Sequence, residues 1–162
     1  MSRAPHNKVL GAMGTQPAGR THPKPPPMSL RAGNARDEYR EPPPFDPELD
    51  RPTAEYLEQY FWGVAHLDAE SWRFYLPILI GHTLQNIGNP RSMAVDAFLA
   101  SLRPPDREPP RLESLSAEQK AQVVALLDRL AFEDGSAWKS QAMTALEEYW
   151  APGALYRPVI RP

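Results

Sequence analysis

The sequence predicts an all-α fold, a compact bundle of about five helices preceded by an extended, proline-rich arm. Two observations carry that prediction. Eleven of the 20 prolines fall in residues 1–52, and only Pro77 and Pro90 fall between 53 and 103. Twelve of the 15 aromatic residues, including all four Trp, fall between 53 and 150. The expected division is therefore a basic, Pro-rich extended arm over 1–52, a helical domain over 53–150 and an extended tail over 151–162. About 100 residues suffice for one domain.

In the arm, His22-Pro23-Lys24-Pro25-Pro26-Pro27 and Glu41-Pro42-Pro43-Pro44-Phe45-Asp46-Pro47 favour polyproline II, because Pro fixes φ and restrains the residue before it. The stretch between them is polar and contains Gly, and reads as adding nothing to a core.

The first expected helix runs over about 53–65, with Tyr56, Leu57, Tyr60, Phe61 and Val64 forming a broad apolar stripe. Thr53 or Asp50 is placed to cap it. The second opens at Asp68 and runs to about Ile87, before Gly88 and Pro90. Trp72, Tyr75, Leu76, Leu79, Thr83 and Ile87 share one face, and Pro77 predicts a kink or a split. Trp72, Tyr75 and Leu79 are expected to form the hub of the body, against the fourth or fifth helix. The third helix follows Ser92, with Val95, Phe98, Leu99 and Leu102 inward, and ends before Pro104. The fourth starts at Ser116, where Ser-Ala-Glu-Gln has capping-box spacing. Gly135 separates it from a fifth helix that begins near Ser136 and ends at Pro152-Gly153. No alternation at period two competes with this reading.

Charge is divided along the chain. Residues 1–36 carry six basic and no acidic side chains; the remaining 126 carry 12 basic and 20 acidic. A dispersed basic arm without clustered aromatics is a poor nucleic-acid ligand, so nucleic acid is not the expected partner. There is no Cys, hence no disulfide and no thiolate metal site. No apolar run reaches the 18–20 residues, roughly, of a membrane span, and the chain reads as soluble and cytoplasmic.

Motifs for chemistry are sparse. The sequence holds no G-x-S-x-G, P-loop, G-x-G-x-x-G or H-E-x-x-H. His66, Asp68 and Glu70, joined by His82, are the one set with metal-ligand residue types. If Asp68 caps a helix, its oxygens are already used, so no metal and no cofactor is expected. Glu133-Asp134 and Glu147-Glu148 are adjacent acids that do not converge on a helix, and no catalytic residue is assigned. The candidate partner-binding residues are Pro25, Pro26, Pro27, Pro42, Pro43, Pro44 and Phe45 in the arm, with Trp62 and Phe74 as aromatics in excess of one helical face.

Phe61-Trp62-Gly63, Trp72-Arg73-Phe74-Tyr75-Leu76-Pro77 and the helix start Leu115-Ser116-Ala117-Glu118-Gln119 carry a resemblance. Over about residues 55–150 the chain resembles a family of small bacterial helical proteins of unknown function. That resemblance implies a helical fold and supplies no active site. The leading expectation is a non-enzymatic interaction module or accessory subunit, anchored to a larger assembly by its N-terminal arm. The alternatives are an immunity or inhibitor protein whose acidic body blocks a basic toxin, and an enzyme or metal protein built on His66, Asp68, Glu70 and His82.

Overall fold

A computed structural model describes residues 24–157. The charges expected at Arg3, Lys8 and Arg20, and the end of the tail, lie outside these residues. The described residues are helical and contain no strand. In chain order they form α1 (Leu30–Asp37), α2 (Ala54–Gln59), a 3-10 segment (Phe61–His66), α3 (Ala69–Gln85), α4 (Met93–Ser101), α5 (Ala117–Phe132), α6 (Lys139–Ala145) and a π-helical turn (Leu146–Trp150).

Side-chain caps fix most of the starts. Ser29, Thr53, Asp68, Ser92 and Ser116 each accept a backbone N–H from three residues on. At Ser116 both halves of the capping box form, Gln119 reaching back to the Ser116 amide. Thr53, and not Asp50, caps α2.

α3 is the central element, with Trp72, Tyr75, Leu76 and Leu79 buried. Pro77 stands on its exposed side and α3 is one unbroken 17-residue helix, so the expected split does not occur. Losing one hydrogen bond on the solvent side leaves the bond-free carbonyl accessible to water. The hub residues are buried as expected, and α3 touches α5, the fourth expected helix, as well as α4. The Trp72 indole donates to Ser101 Oγ at the end of α4 (3.0 Å), and the Tyr75 hydroxyl accepts from the Leu30 amide at the start of α1 (3.3 Å). The other two buried indoles also find acceptors: Trp138 donates to Asn86 O (3.0 Å) and Trp150 to Leu102 O (2.7 Å). α5 and α6 pack against each other and close the core from the other side.

The largest departure from expectation is α1. Residues expected to add nothing to the core supply Leu30, Ala32 and Ala35, all buried. α1 lies against the 3-10 segment with Gly33 and Gly63 in direct backbone contact; a Cβ on Gly63 would meet Leu30 O at 2.1 Å. A buried polar network pins the connection that follows. Asp50 is buried, takes two hydrogen bonds of 3.0 Å from the Arg31 guanidinium and one of 2.8 Å from the Tyr56 hydroxyl, and accepts the Asp46 amide. Burial alone would raise the Asp50 carboxyl, but Arg31 and these donors hold it below the ordinary carboxylate range. The buried Tyr56 hydroxyl is pushed the other way, strongly upward.

The first expected helix breaks in two at Tyr60, whose φ of −110° and ψ of 28° leave the α region. The tighter 3-10 winding after it brings the Gly63 backbone against α1, a contact that only glycine allows.

Candidate interaction site

The 3-10 segment is held at both ends. α1 fixes its middle through Gly33 and Gly63. Its last carbonyls are bound by Arg111, a side chain only 4% exposed, which donates to Leu67 O (3.1 Å), Val64 O (3.2 Å) and Ala65 O (3.4 Å). A guanidinium suits this place because its planar fork serves several carbonyls at once. Held in this way, the segment turns Trp62 outward, 55% exposed, with the Phe61 ring beside it at a centroid separation of 4.8 Å.

Across from these rings runs α4. Met93, Ala97 and Ala100 recur at helical spacing and line a groove with Phe61 and Trp62. The small alanines leave the space that a larger side chain would fill. The loop from Arg103 to Leu112 makes the far wall. The cavity measures about 420 Å³, within the usual range of ligand clefts.

That wall is organised by Asp106. Its carboxylate accepts the amides of Arg107 (2.8 Å), Arg111 (2.8 Å), Leu112 (3.0 Å) and Glu113 (3.0 Å). Burial opposes the charge, but the four amides outweigh it and hold Asp106 below the ordinary range. Arg103 is likewise engaged, bidentate to Glu148 at 3.0 and 2.6 Å. Arg107 is exposed and forms no ion pair among the described residues. Arg111 stays a cation at neutral pH, although burial first and the Arg107 charge second push it down to about 10.

The metal candidates do not converge. His66 Nε2 lies 2.8 Å from Asp37 Oδ1, and Asp68 is occupied as the α3 cap, accepting from Ser71 N and Ser71 Oγ. Glu70 is exposed in the first turn of α3. His82 is buried, with Nε2 2.6 Å from Glu58 Oε2. Among the described residues no group of three or more His, Asp or Glu side chains could hold a metal ion. Glu58 instead joins three elements: it accepts from Ser92 Oγ (2.6 Å) and the Ala94 amide (3.1 Å) at the start of α4 as well as facing His82 of α3.

The candidate partner-binding residues separate. Pro26 is buried in the chain's own fold, Pro42, Pro43 and Phe45 are half-buried, and Pro25, Pro27 and Pro44 are exposed. Pro44 O accepts from Arg31 at 3.2 Å. Phe74 is half-buried on the core, edge-on to Tyr75. Trp62 alone among them lines the groove. Met93, Ala97, Arg107 and Arg111 are groove residues that sequence reasoning did not single out.

The model of a family of unknown function, DUF6714, matches residues 17–154. The chain belongs to that family. The match begins well before the resemblance seen at residues 61–63, 72–77 and 115–119, and so takes α1 into the DUF6714 unit together with the α3 hub and the groove. No curated protein and no solved structure matches the chain.

Proposed function

We propose that this protein is a non-enzymatic interaction module whose partner engages the groove between the 3-10 segment, α4 and the 103–112 loop. One observation carries the reading. Trp62 is 55% exposed at the mouth of a cavity of about 420 Å³, while the other three Trp are buried. Exposed Trp beside apolar walls is the side chain most enriched at the energetic centres of interfaces. The groove's wall residues are fixed by Asp106 and Arg111, which lowers the cost of ordering on binding.

In this reading residues 25–52 serve the fold more than a partner. An anchoring role for the arm falls to the basic stretch before Lys24. The inhibitor alternative stands second, because among the described residues Arg107 and Arg111 line the groove without an ion pair against one such acid, Asp96, a balance that does not favour a basic toxin.

Site-specific photo-crosslinking in the native cell tests the proposal. A photoreactive phenylalanine analogue at Ala97, inside the groove, should give a discrete adduct that Trp62→Ser abolishes. The same analogue at the exposed Phe132 of α5 serves as the reference. Identical adducts from both positions, or an Ala97 adduct indifferent to Trp62→Ser, would overturn the assignment. Deletion of residues 1–23 tests the anchor separately, and leaves α1 in place.

A further inference from the structure

Resting on the interaction reading, we propose that the occupant of this groove is an extended peptide of a partner protein in which a carboxylate stands beside a bulky apolar side chain. Charge is the first argument. Arg111 is buried to 4% exposure and makes no ion pair among the described residues. Its bonds run from Nε and Nη2 to main-chain carbonyls. Nη1 has no protein acceptor, and it is not a buried orphan either, since Asn34 Oδ1 is the one such atom among the described residues. Arg111 lines the groove, so it brings there a cationic donor that has no protein acceptor and is not fully enclosed. Arg107 stands close enough to repel Arg111, and is also without a carboxylate. An anion placed between them removes that repulsion and gains charge-assisted hydrogen bonds.

The acids nearby do not fill this role. Asp106 and Asp68 both attract Arg111, but Asp106 is spent on four loop amides and Asp68 on the α3 cap. Asp96 sits in the first turn of α4, where the helix N-terminus favours it, and it also lines a smaller hollow toward Ser140 and Thr144. Arg103 is already neutralised by Glu148.

Shape is the second argument. Next to the two arginines the wall is apolar, formed by Phe61, Trp62, Met93 and Ala97. A second hollow of about 460 Å³, reaching Glu113, Tyr149 and Tyr156, shares Pro104, Pro105 and Asp106 with the first. Two adjoining hollows that share Pro104, Pro105 and Asp106 suit an elongated chain more than a compact small molecule.

The test is selection from a displayed random peptide library with free C-termini, on the immobilised full chain. Parallel selections use Trp62→Ser, Arg107→Ser and, as reference, Phe132→Ser. All three side chains are exposed, so the variants should fold, which thermal melts check. The expected peptides carry Asp, Glu or the terminal carboxylate within a residue or two of Phe, Trp, Leu or Met. A synthetic representative should weaken about tenfold or more on Trp62→Ser. It should weaken up to about fivefold on Arg107→Ser, and by a similar factor when its own carboxylate is amidated. Enriched peptides that need Trp62 but lack an acid, or ignore Arg107→Ser, overturn this inference and leave the interaction reading intact. Absence of any Trp62-dependent peptide overturns both.

Discussion

Gly63→Ala probes the contact on which the groove's geometry depends. An ideal Cβ at Gly63 lies 2.1 Å from Leu30 O and 3.0 Å from Asn34 N, both backbone atoms of α1. Ordinary contact begins at 3.4 Å, so α1 must retreat by about 1.3 Å, with no rotamer change to relieve it. α1 is not free to retreat. Leu30 is fully buried, its amide is bonded to Tyr75, and Arg31 is paired with buried Asp50. Overpacking of this kind costs about 1–3 kcal/mol. Lifting α1 off instead exposes Leu30, about 2 kcal/mol, and strands the Asp50 charge. The cheaper response sets the loss, so about 1–3 kcal/mol is expected, against the 5–15 kcal/mol, roughly, of a whole domain. Gly81→Ala is the counterpart. It lies inside α3 with nothing within 4 Å of its Cβ, so alanine should stabilise by about 0.5–1 kcal/mol. Urea melts followed by tryptophan emission measure both, and limited proteolysis between residues 24 and 50 detects a detached α1. A Gly63→Ala protein as stable as wild type, with α1 still protected, would refute the close-contact reasoning.

Four further outcomes follow from the same structure. Trp72→Ala and Leu79→Ala should cost about 3–5 and about 2–5 kcal/mol in urea melts, whereas His66→Ala, at a solvent-facing pair with Asp37, should cost about 0.5 kcal/mol; the reverse order would mean that a polar site holds the fold. Glu58→Ala removes the acceptor shared by Ser92, Ala94 and His82, and should cost about 1–3 kcal/mol by leaving the His82 ring and the Ala94 amide unpaired; a neutral melt would show those bonds to be dispensable. Asp50, Glu58 and Asp106 are all held below their ordinary values, so their stabilisation is complete above the unfolded carboxylate pKa of about 4 and fades as pH falls through the lower folded values; the melting temperature should drop on the acid side, less steeply in Asp50→Asn, and a profile flat to pH 2, roughly, would contradict the assignment. Acrylamide should quench chiefly Trp62, since Trp72, Trp138 and Trp150 are buried, and Trp62→Ser should remove most of the quenchable emission.

The helical body was legible because its signals are local. Capping residues at Asp68, Ser92 and Ser116 lie beside their helices, and the apolar stripe of α3 needs only its own periodicity to be read. Trp62 was legible as a surplus aromatic for the same reason: Phe61 and Trp62 cannot both face inward. α1 was hidden because it docks by closeness and not by bulk. Leu30 is its one large apolar residue, and Ala32, Gly33 and Ala35 let two backbones meet, which composition registers as polarity and flexibility. Its partner at Gly63 lies 30 residues away, and nothing in either segment alone announces the pairing.

The groove was invisible for a related reason that bears on function. Its walls come from three separate stretches, at 61–65, 93–101 and 103–112, and each stretch read alone has a complete structural explanation. Arg107 and Arg111 look like two charges of a solvated loop. Only the fold turns Arg111 inward onto the carbonyls of the 3-10 segment and closes the chain around it. That placement also couples the two halves of the molecule. α1 sets the position of the 3-10 segment from one side, and Arg111 sets it from the other. Trp62 is carried on the piece between them. Loosening α1 should therefore reach the groove without touching any residue that lines it. A Gly33→Ala protein, whose new Cβ would meet Gly63 O at 2.6 Å, should lose peptide binding at temperatures where its core remains folded. Full binding by a protein whose α1 is open to protease would separate the two, and would show that the 3-10 segment is held for binding without α1.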